Sequence, residues 1–236
     1  MQGGVDMMDE IVVTNKLAYL LDANFKGMGE EEIEKAMNMV CAQFEAMVKG
    51  IEALDAGRPR YELGAEIINR AYRKAERGDG PCKKGCAHCC GVQVGCGWSE
   101  GLMIADYLIR AHRVTPTWGR VVVSELMRMK KTMPRDPEEW GKVALKDRMC
   151  PFLDSRSQVC RIYQIRPHAC RSYYAASGTK PSQCKVGPGK SVVGTYVSVE
   201  GEVLISAVSK VEGLGFMPSV VLKALDVMTR KDGGVK

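Results

Sequence analysis

The cysteines of this 236-residue chain are the feature that most limits what it can fold into. The chain has 10 cysteines, and all but Cys41 lie between residues 82 and 184. In a reducing cytosol, clustered thiols more often bind metal or take part in redox chemistry than form disulfides. The first ten residues carry acidic but no basic side chains, so we expect no secretory signal. The sequence therefore predicts a cytoplasmic metal-binding protein, with a disulfide scaffold as the less favoured alternative.

The cysteines form a compact first group and a dispersed second group. The C-x2-C step from Cys86 to Cys89 lets one tight turn direct two sulfurs at the same ion. Cys90 follows directly, and adjacent side chains in extended backbone point to opposite sides, so it is expected to face a different site or to bridge two metals. Four thiolates can surround one zinc ion or hold one iron–sulfur cluster, such as a 4Fe-4S cluster. The predicted metal ligands are Cys82, Cys86, Cys89, Cys90, Cys150, Cys160, Cys170 and Cys184.

How these eight thiols divide between sites is left open by the sequence. They could form one cluster with spare thiols or two four-ligand sites. His88 and His168 are further candidates because imidazole binds zinc and iron, but enough thiols are already present without them.

Basic charge is concentrated in the segment that carries the cysteines. Residues 80–190 contain 19 Lys/Arg and 8 Asp/Glu, a balance of +11, whereas residues 1–79 carry −5 and residues 191–236 are balanced. Cysteines that bind metal are deprotonated, so nearby lysines and arginines would balance the thiolate charge. A nucleic-acid surface is an alternative explanation of the same excess, and a less favoured one.

Three segments are predicted along the chain: a helical region over residues 1–79, a cysteine-cluster domain over residues 80–190, and a hairpin with a helix packed on it over residues 191–236. Apolar residues recur at helical spacing from Ile33 to Leu54, after an acidic first turn. Cys41 lies on that apolar stripe, so we expect it to be buried.

The remaining elements are short. The further predicted helices are Met8–Leu21, Glu62–Arg77, one capped by Ser99, Trp118–Met133, one starting at Asp136, and one opened by Pro218. The predicted strands are Val92–Val94, two strands around the turn at Asp154–Ser157, and a hairpin over Val192–Val208 that turns at Glu200-Gly201. The expected fold is mainly α with small β-hairpins, its helices arranged around an irregular cysteine-rich metal-binding centre. No apolar run approaches the length of a membrane span.

The cysteine segment also resembles a known family. Its first group ends in Cys86-x2-Cys89-Cys90 and is followed in order by three further motifs. These motifs are Cys150-Pro-Phe152-Leu153, Cys160-Arg-Ile162-Tyr163 and Arg166-Pro167-x2-Cys170-Arg171-x-Tyr173. Together they resemble the CxxCxxCC family of zinc- or iron-chelating, YkgJ-type cysteine-cluster proteins, over roughly residues 81–184. Cys82 precedes Cys86 by one residue more than the family pattern has. The resemblance implies metal chelation rather than a defined reaction.

Three arginines lie beside the second group of cysteines. Arg161, Arg166 and Arg171 flank Cys160 and Cys170, where a guanidinium could donate hydrogen bonds to thiolate sulfur and tune the bound group. They are the predicted cofactor-binding residues, and surface salt bridges are the alternative interpretation.

The leading functional hypothesis is a protein that holds an iron–sulfur cluster or zinc in a structural, electron-transferring or metal-handling role. The spacing Cys82-x3-Cys86-x2-Cys89 also occurs in radical S-adenosylmethionine enzymes, and flagellin lysine N-methylases carry a segment related to the family. Against a radical enzyme, the sequence lacks the alternating strands and helices of a (β/α) barrel. A zinc-knuckle nucleic-acid binder is the third hypothesis. The sequence shows no catalytic base or nucleotide loop, so it leaves open whether there is a reaction, and it does not indicate a protein partner.

Overall fold

The computed structural model describes residues 27–54, 58–74, 86–91, 93–134, 136, 139, 142–175, 193–195 and 199–230. The α-helices of this part are α1 Glu30–Glu52, α2 Arg58–Lys74, α3 Trp98–Val114, α4 Pro116–Thr132, α5 His168–Ser172, α6 Val199–Glu212 and α7 Met217–Thr229. Its strands are β1 Gly95–Gly97, β2 Leu153–Asp154, β3 Val159–Cys160, β4 Tyr173–Ala175, β5 Val193–Thr195 and β6 Leu214–Phe216. They pair antiparallel as β1–β6, β2–β3 and β4–β5. The prediction of a mainly α fold with small strand pairs is confirmed.

The N-terminal helices begin close to the predicted positions. Glu32 in the first turn of α1 accepts a hydrogen bond from the Gly29 N–H at 3.2 Å, which satisfies a donor that the helix itself cannot. Helix α2 begins at Arg58, so Pro59 opens this helix rather than only ending the one before. The predicted burial of Cys41 is wrong, because this residue is exposed on α1. Phe44, Met47, Val48 and Ile51 of α1 pack on one hydrophobic core, and Cys41 lies outside this face.

Of the three hydrophobic clusters among the described residues, the two larger ones form the cores that hold the helices together. In the first core α6 packs on α1 and α2, and the fully buried Ile51, Ile68 and Val208 meet there. In the second core α3, α4 and α7 pack against the β2–β3 hairpin, around Phe152 and Val221. The second core therefore continues directly into the segment that carries the cysteine motifs.

The hairpin predicted over Val192–Val208 is wrong. Residues Val199–Glu212 form the helix α6. Strand β5 pairs with β4, which precedes Cys184 in the sequence. The buried residues of α6 include Val203, Ile205 and Ala207, whose alternate spacing suggested a strand. Leu204 and Val208 are buried as well, so α6 is apolar on more than one face and carries little helical periodicity.

Helix α3 starts differently from the prediction. Its cap is Gly97 rather than Ser99, and the Glu100 carboxylate accepts the Gly97 N–H at 3.0 Å. The Ser99 hydroxyl instead donates to Oε1 of Glu212 at 2.6 Å, and the Ser99 N–H donates to Oε2 at 2.8 Å. Two carboxylates thus occupy the N-terminus of α3, where the helix dipole favours negative charge.

Several other predictions can be compared with the described residues. Helix α4 and the β2–β3 hairpin lie where they were predicted, and Pro218 stands in the first turn of α7 as expected. The strand predicted at Val92–Val94 is found a few residues later, at β1. The helix predicted at Met8–Leu21 and most of the one starting at Asp136 lie outside the described residues.

Truncating Phe152 should strongly destabilise the fold. Its ring is fully buried in the second core, and a Phe→Ala change at such a site costs about 3–5 kcal/mol in lost burial and cavity formation. Denaturant unfolding should show this loss for Phe152→Ala. Val121→Ala is the control, because Val121 is 56% exposed on α4, and it should unfold like the wild type. Equal midpoints for the two variants would contradict the described core.

Removing the Glu100 carboxylate should loosen the start of α3. Glu100→Ala leaves the buried N–H groups of Gly97 and His168 without their acceptor, at a cost of about 1–3 kcal/mol each. Hydrogen exchange of these two amides should accelerate, and the free energy of unfolding should fall. The exposed Glu66 of α2 provides the control, as Glu66→Ala should change neither quantity. Unchanged exchange at both amides in Glu100→Ala would contradict this role.

Candidate metal centre

A backbone hydrogen bond joins the first cysteine group to the second. Residues His88–Gly91 form a 3-10 turn, in which the Cys90 N–H donates to the carbonyl of Ala87 at 3.0 Å. The Cys90 carbonyl in turn accepts the Cys150 N–H at 2.8 Å. Cys90 and Cys150, which lie far apart in the sequence, are therefore held side by side.

The β2–β3 hairpin connects Cys160 to Cys150 through Leu153. Leu153 pairs with Cys160, and the Leu153 N–H donates to the carbonyl of Cys150 at 3.1 Å. At the tip of the hairpin, the Asp154 carboxylate accepts the N–H groups of Arg156 and Ser157 at 3.0 and 3.3 Å. These bonds, and then the charge of Arg161, hold the pKa of Asp154 below its usual value. The hairpin that carries Cys160 is thus fixed at its turn as well as at its strands.

The apolar residues of the motifs pack inward and leave the cysteines at the edge of the core. Phe152 and Ile162 are buried in the second core. Cys150 and Cys160 are half-buried and pack against that core from outside. Their sulfurs therefore lie in a partly dry environment, where electrostatic interactions with a bound cation are stronger than in water.

Glu100 positions the segment that carries Cys170. Cys170 belongs to the short helix α5, and its N–H donates to the carbonyl of Pro167 at 2.9 Å. The N–H of the buried His168, at the start of α5, donates to Oε1 of Glu100 at 2.6 Å. One buried carboxylate therefore connects the start of α3 to the turn before Cys170.

Cys96 is a buried cysteine to which the sequence analysis gave no role. It is fully buried in β1, and its thiol donates to the carbonyl of Gly97 at 3.4 Å. Burial raises the pKa of the Cys96 thiol well above its usual value, and the negative charges of Glu100 and Cys170 act in the same direction. Cys96 is therefore a protonated core residue at neutral pH. It lies close enough to Cys170 for a negative charge there to raise the pKa of its thiol.

The three arginines chosen from the sequence have different surroundings. Arg161 pairs with Asp154 at 2.7 Å, and its guanidinium lies 5.6 Å from the centre of the Trp118 ring. Arg171 donates to the carbonyls of Gln164 and Arg166, which ties the loop before α5 to the helix. Arg166 stacks 4.2 Å from the Tyr163 ring centre, and its buried Nε–H has no hydrogen-bond partner in the described part of the chain.

Arg148 is a residue that the sequence analysis missed. It is only 8% exposed, and its Nη1 donates to the carbonyl of Gly91 at 2.9 Å. The Arg148 carbonyl accepts the side-chain amide of Gln93 at 2.5 Å. Its Nε, like that of Arg166, has no hydrogen-bond partner among the described residues. The only sequence signal was its position two residues before Cys150.

The described residues contain part of the predicted ligand set. Cys86, Cys90, Cys150, Cys160 and Cys170 are all half-buried. Cys82 and Cys184 lie outside the described residues, as do the side chains of His88 and Cys89. Among the side chains that are described, no three from His, Cys, Asp and Glu are placed so that they could hold a metal ion.

The chemistry of these groups fits a thiolate-bound zinc ion or iron–sulfur cluster. Thiolates are the ligands that both groups prefer. The partnerless Nε–H groups of Arg148 and Arg166 are donors of the kind that bonds to metal-bound sulfur. The eight-cysteine ligand set itself remains a prediction.

Comparison with known proteins agrees with this chemistry. Residues 81–187 match the family model CxxCxxCC, described as "Putative zinc- or iron-chelating domain". No curated protein and no solved structure shows significant similarity to the chain. In the described part of the chain, every helix is too short or too polar to cross a membrane. The match covers all four cysteine motifs and is consistent with a zinc or iron cofactor, so the CxxCxxCC domain model is found over the cysteine segment at residues 81–187.

Proposed function

We propose that this chain is a cytoplasmic protein that holds zinc or an iron–sulfur cluster through the thiolates of its cysteine motifs. The observation that carries the proposal is the Cys150 N–H bond to the Cys90 carbonyl, which joins two cysteine groups that are distant in sequence. The match of residues 81–187 to a chelating domain supports the same chemistry. The eight motif cysteines, from Cys82 to Cys184, are the proposed ligands.

The proposed ligands come from separate elements of the described part of the fold. The turn at His88–Gly91, the β2–β3 hairpin and α5 each carry at least one cysteine. Because these ligands are remote in sequence, binding of a metal would link the elements and stabilise the folded state. A bound cluster would supply electron transfer, and bound zinc would supply a structural link.

The surroundings of the arginines favour this function over nucleic-acid binding. Three of these arginines bind groups of the chain itself. The partners are main-chain carbonyls for Arg148 and Arg171, and the Asp154 carboxylate for Arg161. The guanidinium groups of these three arginines therefore have hydrogen-bond partners within the domain. A nucleic-acid surface needs side chains that can reach phosphate, so these three arginines give it no support.

The described strands also give no support to a radical enzyme. The barrel of such enzymes is built from parallel strands joined by helices. Each sheet in the described residues consists of two antiparallel strands. The three-cysteine spacing that starts at Cys82 is a weak motif when it stands alone.

Replacing motif cysteines should reduce bound metal. Cys86→Ser, Cys89→Ser and Cys170→Ser each remove one proposed thiolate, so metal content per chain should fall and thermal stability with it. Metal analysis of the purified variants measures the loss. Cys41→Ser is the matched control, because Cys41 is exposed on α1, outside the cysteine motifs, and its metal content should equal that of the wild type. Full metal retention in all three motif variants would contradict the proposed ligands.

A further inference from the structure

Arg148 carries a buried positive charge that the described contacts leave uncompensated. Its side chain is among the few buried charged groups of the described residues. It donates to the carbonyl of Gly91, while its Nε–H has no hydrogen-bond partner among the residues that the structure describes. No carboxylate pairs with its guanidinium within the described part of the chain. Burying a charge in this way is costly unless an anion or a strong acceptor lies nearby.

Arg128 contacts the backbone next to Arg148, and its positive charge is paired with a carboxylate. It donates to the carbonyl of Asp147, the residue next to Arg148, at 3.1 Å. Its Nε–H donates to the carboxylate of Glu125 at 2.8 Å. Two arginines thus bond to main-chain carbonyls near Cys150, but only Arg128 has a carboxylate for its charge.

Two motif cysteines adjoin the backbone that Arg148 contacts. The carbonyl that it binds belongs to Gly91, which follows Cys90, and Cys150 lies two residues after Arg148. The backbones of these two cysteines are hydrogen-bonded to each other. Once deprotonated by a bound metal, their sulfurs would supply the negative charge and the acceptor that the guanidinium lacks.

We propose that Arg148 is a positioning residue of the metal centre. Its guanidinium balances the negative charge of the thiolates and donates its Nε–H to a sulfur of Cys90 or Cys150. This inference rests on the proposed function. The sulfur accepts one hydrogen bond from Arg148 and stays bonded to the metal. Such a donor fixes the orientation of the ligand and lowers the energy of the sulfur lone pairs. The charge-transfer absorption of a thiolate–metal complex starts from these lone pairs.

Cobalt(II) titration of the metal-free full-length chain tests this role. The dissociation constant and the sulfur-to-cobalt charge-transfer band are measured for the wild type, Arg148→Met, Arg148→Lys and Arg128→Met. Arg148→Met should weaken cobalt binding about 10–100-fold, the usual effect of losing such a partner, and move the band to longer wavelength. Arg148→Lys keeps the charge but lacks Nε, so it should show the same band shift with a smaller loss of affinity. Arg128→Met should keep the wild-type constant and band.

The outcomes separate this inference from the function on which it rests. A wild-type chain that binds no cobalt through sulfur, and forms no cluster when iron and sulfide are supplied, would overturn the proposed function and this inference with it. A wild-type chain that binds cobalt, with Arg148→Met matching it in affinity and band, would overturn the role of Arg148 alone. An equal shift in Arg128→Met would do the same, because it would reflect general disturbance of the turn. If Arg148→Met does not fold, an unshifted band in Arg148→Lys contradicts the hydrogen bond.

Discussion

The Glu100 carboxylate is the interaction on which the arrangement around the cysteines depends. It accepts N–H groups from both Gly97 and His168, and so fixes the start of α3 and the start of α5 with one side chain. Glu212 holds the same end of α3 through Ser99 and brings the end of α6 to it. Both carboxylates lie where the helix dipole is positive, which offsets part of the cost of burying their charge. The cysteine segment, the helices of the first core and those of the second core therefore meet at the N-terminus of α3.

The cysteine segment is anchored by the apolar residues of its own motifs. Phe152 and Ile162 pack among the residues of α3, α4 and α7, including Ile104, Leu126 and Val221. The cysteines that alternate with these apolar residues are left at the edge of that core. An apolar support of this kind restricts water near the sulfurs and limits how far the thiols can move, and both effects favour a defined metal geometry.

Local signals in the sequence predicted most of this arrangement. The turn at Asp154–Ser157 forms the hairpin because Asp154 accepts two nearby N–H groups, a preference that acts over a few residues. The contacts that were missed join distant residues: Glu100 with His168, Arg148 with Gly91, and β1 with β6. Side-chain spacing within one element contains no information about such pairs. Helix α6 was mistaken for a hairpin because it is buried on several faces, and Cys41 was expected inside because it follows Val40, although it lies outside the packed face of α1.

The most direct test of the account is metal and sulfide analysis, with an absorption spectrum, on wild-type protein purified without oxygen. The account predicts thiolate-bound metal: either iron with sulfide and a broad absorption near ~400 nm, or a colourless protein with stoichiometric zinc. The first result would assign a cluster and the second would assign closed zinc sites. A folded protein that contains neither metal, and takes up neither when iron with sulfide or zinc is supplied, would contradict it.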